Sequence, residues 1–452
     1  MSSQVRGRFW FWFGLFVLAS VIRGGWLAAC AGALHSDPDT YRQLARNLLA
    51  EGTFGYRVSD SEPGTQRIQP TAYRPPLYPL TLAAVGWTDG VGSTSIALLH
   101  GALGVATVLL VYCLSQDWSL GRWGLLAALL VACDPILLNQ SALVMTETLA
   151  SSLAVLALWC LTRTATADSG GNSRLGPSVP PRVAAPAASV IASGAAVALA
   201  ALVRPTFLVW AAAIAVAWLA SPGGLSRRQL GRIGLFALSA GAVLLPWGVR
   251  NARVLDRFLV TTTHGGYTLW LGNNPEFYRF LKQADRGDVW DSRQLDEQYL
   301  QIRQAYGNDE FQADRWAYEQ ARAAISRDPA SFLRACVFRI GSLWGVVPHQ
   351  VDSAESAVRR SGRVAVGVWY TAVLGLACVG LGALGRRLLQ PPWLWGLLLC
   401  LAFTAMHSVY WSNLRMRAPL MPVVCLAAAA GARRLAGLRF LPGGSASSTR
   451  IE

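Results

Sequence analysis

Residues 35–52 read H-S-D-P-D-T-Y-R-Q-L-A-R-N-L-L-A-E-G, and the same loop closes at 72–79 with A-Y-R-P-P-L-Y-P. Asp37 followed by Pro38 is a helix-start signature, an N-cap carboxylate with proline at the first helical position. Tyr41, Leu44, Ala45, Leu48 and Leu49 then recur at helical spacing, while Arg42, Gln43, Arg46 and Asn47 take the other faces and Gly52 is a natural stop. Such a helix lies on a bilayer surface. Further on, the prolines hold Tyr73 and Arg74 in extended chain, and the apolar helix that follows, to about residue 87, is too short to span. The loop therefore sets Asp37, Asp39 and Arg74 against a membrane surface. Carboxylates beside a fixed cation suit chemistry on a charged lipid headgroup. Taken singly, each has a plainer reading: Asp37 as a cap, Asp39 as a complement to the helix dipole, Arg74 as a lipid anchor.

Outward from this loop, the chain is that of a membrane protein. Of its 452 residues 53% are apolar and only 14% charged, and the mean hydropathy is +0.34; ordinary soluble domains carry roughly 25% charged residues. Apolar runs occupy 9–29, 95–114, 123–138, 145–161, 187–203, 207–220, 233–249, 364–384, 393–411 and 418–436. They predict an all-α, polytopic transmembrane helix bundle of about ten spans, with extracytoplasmic loops carrying interfacial helices.

Net charge is +15 and the pI near 10.0, values that in a soluble protein would suggest nucleic acid. With the N-terminus cytoplasmic, the inner segments hold fifteen arginines, from Arg6 and Arg8 to Arg439 and Arg450, against Asp117, Asp168 and Glu452. That asymmetry is the positive-inside pattern, so the charge reports topology and no nucleic-acid partner is implied. It predicts a multi-pass protein of the cell (inner) membrane with both termini cytoplasmic and the active site facing outward. Arg23, inside the first apolar run, argues that this run is a retained helix and not a cleaved signal. Three regions follow: a membrane core over 1–250, whose first outer loop (34–94) carries the candidate site; an extracytoplasmic region over 251–363; and C-terminal helices with a cytoplasmic tail over 364–452. A Gly-, Ser- and Pro-rich stretch at 164–186 reads as a linker. In the second outer loop Asn308 is positioned to cap a helix to about Arg327, Pro329 ends it, and 332–347 reads as interfacial. The eight cysteines include no C-x-x-C pair and imply neither a zinc site nor a disulfide framework.

The pattern Asp37-x-x-x-Tyr41 followed by L-A-x-x-L, and then Y-R-P-P-L-Y-P, resembles the first external loop of integral-membrane glycosyltransferases of the GT-C fold. That class includes protein O-mannosyltransferases and lipid A aminoarabinose transferases. Further matches follow in order: T-E-T-L at 146–149, V-R-P-T at 203–206, P-W-G-V-R-N at 246–251, G-G-Y-T-L-W-L-G-N-N-P at 265–275 and R-M-R-A-P-L-M-P at 415–422. The resemblance implies a transferase that takes a sugar from a polyprenyl-phosphate-linked donor, with Asp37 as general base. Pro38 stands where the family often has Glu, which leaves the role of Asp39 as a second carboxylate open. The resemblance further implies Arg74 as a contact to the lipid phosphate and Glu147 as a residue orienting acceptor or sugar. Arg204, Arg250, Arg415 and Arg417 fall at outer helix ends, where one or two bind the phosphate and the rest snorkel. Tyr41, Tyr73 and His264 complete the substrate-facing set.

Chemically, departure of the lipid phosphate leaves negative charge for guanidinium groups, while a carboxylate on the opposite face takes the acceptor proton in one inverting displacement. No cofactor is required by this scheme, and a divalent cation is left open. The partners expected are the polyprenyl-phosphate-linked sugar and membrane lipids, with the acceptor open among protein, lipid and polysaccharide. A lipid-linked saccharide transporter or flippase would place ionisable groups deep in helices and repeat its halves, whereas here the charges gather in large loops at one face. A non-catalytic lipid-binding subunit of the same fold is the other alternative.

Overall fold

The computed structural model describes residues 3–59, 66–86, 88–166, 186–221, 225–283, 290–348 and 355–439. Each of the ten apolar runs falls on helix. Among the described residues, five helices are long and apolar enough to cross a membrane: Gly7–Ala29, Ser93–Asp117, Arg227–Val254, Ala357–Leu389 and Leu414–Leu438. A sixth crossing is formed if Gly121–Ala132 and Pro135–Ser141, bent by 47°, count as one span, and Ala187–Ala201, Phe207–Ala220 and Trp393–Val409 are shorter apolar helices. The expected all-α, polytopic bundle is seen, with five helices of full spanning length and further shorter apolar helices among the described residues where about ten spans were expected. An apolar run sets where a helix forms, but breaks at Cys133-Asp134 and Arg204-Pro205 cut several short of bilayer thickness. The linker expected at 164–186 lies largely outside the described residues.

The bundle packs through small residues. A Cβ on Gly380 would lie 2.0 Å from the Ala427 carbonyl oxygen, and one on Gly431 would lie 1.9 Å from that of Leu376. Helices Ala357–Leu384 and Met421–Arg439 therefore meet backbone to backbone, the packing that membrane helices favour where lipid supplies no hydrophobic drive. Leu98, Val216, Leu238, Val337 and Val368 remain exposed, an outer apolar coat suited to lipid. Arg23 is buried in this region and donates from Nη2 to the Val131 carbonyl oxygen at 2.6 Å, close to where the bent pair breaks.

The first long loop holds helix Tyr41–Glu51, an antiparallel hairpin of Gly55–Ser59 with Gln66–Pro70, and helix Leu77–Val85. The sequence reading did not include the hairpin. It also placed the first helix three residues early. Asp37, Pro38 and Asp39 form a turn closed by Thr40 N–H to Asp37 O at 3.1 Å, and Thr40 has φ of 60°. The helix begins at Tyr41, and Asp37 caps it from outside, its Oδ2 accepting from the Arg42 N–H at 2.9 Å and the Gln43 N–H at 3.1 Å.

The second long loop is a small helical domain with its own core of Leu269, Trp270, Tyr299, Ala313, Ala317 and Ala321. Asp309, not Asn308, caps helix Glu310–Arg327, accepting from the Phe311 and Gln312 amides. Pro329 does not simply stop that helix: it opens the next, Pro329–Trp344, with Asp328 as cap.

Candidate active site

At one end of the bundle, helix termini converge with both long loops around a cavity of about 370 Å³. One wall comes from the first loop. Arg74 Nη2 donates to Asp39 Oδ1 at 2.8 Å, and the guanidinium lies 5.5 Å from the Tyr41 ring centroid and 5.3 Å from that of Tyr73. The segment that carries Arg74 is fixed on three sides. Arg250 donates to the Thr71 and Phe54 carbonyls at 2.8 Å each, the Thr263 N–H donates to Ala72 O at 3.1 Å, and Glu310 accepts from the Ala72 N–H at 2.6 Å. Burial raises the Tyr41 phenol to about 12, so it faces the cavity as a neutral hydroxyl.

The opposite wall is built from bundle ends. Glu147 opens helix Glu147–Thr166 with its side chain 1% exposed. Its Oε1 accepts from Arg204 Nη2 at 2.6 Å and lies 3.6 Å from Arg415 Nε. Arg204 also donates to Thr146 Oγ1 at 3.2 Å and reaches Met416 Sδ at 3.1 Å. One carboxylate thus holds two guanidiniums at the rim of the cavity, which leaves an excess of positive charge on that wall. His264, Thr268 and Tyr318 from the second loop, with His407 and Trp411 from the end of a short apolar helix, close the space. Burial, then the nearby Arg74 and Arg303 charges, push the His264 imidazole well below its ordinary range and keep it neutral, and its Nδ1 has no hydrogen-bond partner.

Residues 73–175 match a family model described as dolichyl-phosphate-mannose-protein mannosyltransferase, a stretch of less than a quarter of the chain. No curated protein matches the chain. Among solved structures, the oligosaccharyltransferase of Archaeoglobus fulgidus in its apo form superposes with a TM-score of 0.53 at 12% identity, covering 96% of this chain and 53% of that one. The same enzyme tethered with an acceptor peptide containing the NVT sequon gives 0.52 at 14% identity, covering 95% and 50%. AglB from Archaeoglobus fulgidus, in complex with an inhibitory peptide and a dolichol-phosphate, gives 0.50 at 14% identity, covering 97% and 53%. The chain has the GT-C fold. It spans about half the length of these oligosaccharyltransferase chains.

Within this GT-C bundle the structure brings together Asp39, Tyr41, Arg74, Glu147, Arg204, His264 and Arg415, all of which line the cavity. Four other residues singled out from the sequence are not among its lining. Asp37 is turned to the amides of Arg42 and Gln43, with burial raising its carboxyl above the usual range. Arg250 is spent on loop carbonyls and lies over the Trp247 ring at 5.0 Å. Arg417 is fully buried, donating to the Leu343 and Gly345 carbonyls and lying 4.1 Å from the Tyr370 ring centroid. Tyr73 stands behind Arg74, edge-on to His264 at 4.5 Å. Conversely, Thr261, Tyr318, His407 and Trp411 line the cavity without having been singled out. Tyr318 sits two turns after Glu310 on an amphipathic helix, where an i, i+4, i+8 comparison with Glu310 and Asp314 is the one available signal. Among the described residues, no group of three or more His, Cys, Asp or Glu side chains is placed to hold a metal ion.

Proposed function

We propose that this protein is an integral-membrane glycosyltransferase that moves a sugar from a polyprenyl-phosphate-linked donor to an acceptor hydroxyl, on the extracytoplasmic side of the membrane. The observation that carries the reading is the cavity itself: the Asp39–Arg74 pair on one wall faces Arg204 and Arg415, held by Glu147, on the other. Support comes from the family match over 73–175 and from the fold shared with oligosaccharyltransferases, one of which was solved with a dolichol-phosphate.

Arg204 and Arg415 present guanidinium donors where a lipid phosphate would lie, and fixed donors stabilise the charge that develops on the leaving oxygen. The acceptor oxygen attacks the anomeric carbon as the bond from that carbon to the phosphate oxygen breaks, and the electron pair leaves with the phosphate. The acceptor proton goes to Asp39, which takes the role expected of Asp37 because Asp39 lines the cavity while Oδ2 of Asp37 is held by the helix terminus. Glu147, nearly unexposed and shared by two arginines, acts by holding them.

The test is mass spectrometry of a polyprenyl-phosphate-sugar extract incubated with the purified protein and a mixed acceptor pool. Wild type and Asp37→Asn should deplete one donor species, and Asp39→Asn should not. Depletion by Asp39→Asn equal to wild type overturns the assignment of the base. Donor passing unaltered across a proteoliposome membrane, with no depletion, overturns the transferase reading in favour of transport.

A further inference from the structure

Helix Glu310–Arg327 of the second loop carries Glu310, Asp314 and Tyr318 at i, i+4 and i+8, one above another on a single face. Each meets a different part of the cavity wall. Glu310, 7% exposed, accepts from the Thr71 hydroxyl at 2.5 Å and from the Ala72 N–H at 2.6 Å, and the Thr71 oxygen in turn accepts from the Tyr73 N–H at 2.9 Å. Asp314 accepts from the Gly266 N–H at 2.6 Å, two residues after His264. Tyr318 lines the cavity and lies so close to Gly265 that a Cβ there would be 2.2 Å from its hydroxyl. The buried Glu310 carboxylate accepts from two consecutive residues, and the Thr71 hydroxyl it holds accepts from a third, so that the backbone immediately before Arg74 is tied to it.

We propose that Glu310 is a positioning residue that sets Arg74 against Asp39, with its helix serving as a template that holds the Arg74 segment and the His264 turn in one register. The inference rests on the reading of the cavity as a lipid-phosphate site. Glu310 touches no reacting atom. It acts through Thr71 and Ala72, so its removal should matter only while Arg74 is there to be positioned.

The experiment is a double-mutant cycle of Glu310→Gln with Arg74→Ala in detergent-solubilised full-length protein. It is read by binding of undecaprenyl phosphate and by hydrogen exchange of the Ala72, Tyr73 and Arg74 amides. Glu310→Gln should speed that exchange, leave the amides of helix Glu147–Thr166 protected, and weaken binding by roughly tenfold, the scale of one charge-assisted hydrogen bond. In the Arg74→Ala background Glu310→Gln should weaken binding no further. Thr71→Val, which removes the hydroxyl from the other side of the same contact, should reproduce the coupling if Glu310→Gln fails to fold. Additive losses overturn the proposal and make Glu310 a general tie between loops, as does unchanged exchange at the three amides. Failure of wild type to bind undecaprenyl phosphate overturns the reading of the cavity and this proposal with it, whereas wild-type binding with additive losses overturns this proposal alone.

Discussion

Arg74 donates to Asp39 across 35 residues of chain, Nη2 to Oδ1 at 2.8 Å, with both side chains partly open to the cavity at 16% and 22% exposure. The turn that brings Asp39 there is the one that points Asp37 away, since residues 37–40 close on themselves before the helix begins. Under the proposed function the two neighbouring aspartates have separable roles. Asp39→Asn should lower turnover by about 100-fold or more, the usual loss for a general base. Asp37→Asn should leave turnover within a few fold and lower stability by about 1 kcal/mol, the loss expected for a weakened cap. Steady-state kinetics beside thermal unfolding of the two variants separates them.

Glu147 is the shared partner of Arg204 and Arg415, and its burial makes the pair unlike a surface ion pair. Breaking it strands two guanidiniums in a confined space, at about 3–5 kcal/mol for a buried pair. The exposed Arg57–Glu51 pair, at 3.4 Å, is the internal comparison: Glu51→Gln should change stability by about 0–1 kcal/mol. Glu147→Gln should therefore lower the unfolding temperature far more than Glu51→Gln. The apparent affinity for donor should fall as well, because Arg204 and Arg415 lose their common anchor. Equal unfolding temperatures for the two variants would contradict this account.

Much of this arrangement is legible in the sequence because it lies at helix ends beside Pro and Gly. Arg74 before Pro75 sits where the chain enters an apolar helix, Arg204 before Pro205 where it passes from one apolar helix to the next, and Arg415 close to Pro419 where it enters the last one. Side-chain direction is not legible in the same way. Arg250 and Arg204 occupy similar positions after apolar runs, yet one turns to loop carbonyls and the other to Glu147, a choice set by tertiary partners with no local signature. The paired strands Gly55–Ser59 and Gln66–Pro70 were missed because they are short and polar, and Tyr318 because an amphipathic loop helix reads as a solvated one until its neighbours are known.

Asp314 gives a pH dependence of defined sign. Burial lifts its carboxyl to about 6, against the bond from the Gly266 N–H, and the neighbouring Glu310 charge adds to the rise. The unfolded value is near 3.8, so between about 4 and 6 the folded protein holds a proton that the unfolded chain has released. Stability from this group is full below the unfolded value and is lost as pH rises through about 6. Asp314→Asn keeps an acceptor for Gly266 and removes the charge. It should raise the unfolding temperature relative to wild type at about pH 7 and match wild type at about pH 4, flattening the profile between. A parallel shift of both profiles would assign the slope to another group.

The contact of Gly431 with the Leu376 carbonyl ties the cavity to the bundle core. Helix Met421–Arg439 follows directly on the short helix Leu414–Leu420 that holds Arg415, so its seat against Ala357–Leu384 fixes how far Arg415 reaches toward Glu147. A side chain at Gly431 would begin 1.9 Å from backbone oxygen, which no rotamer change relieves, and the helices must move apart. Gly431→Val should destabilise the protein by at least about 2 kcal/mol. Variant protein that remains folded should bind donor more weakly, because Arg415 moves with its helix. Gly382→Ala, on the exposed side of helix Ala357–Leu384 with open space around it, is the control and should stay within about 0.5 kcal/mol of wild type with donor affinity unchanged. Size-exclusion profiles, unfolding temperatures and donor binding of the two variants decide the matter. Normal stability in Gly431→Val would mean that the two helices do not meet as closely as 1.9 Å requires.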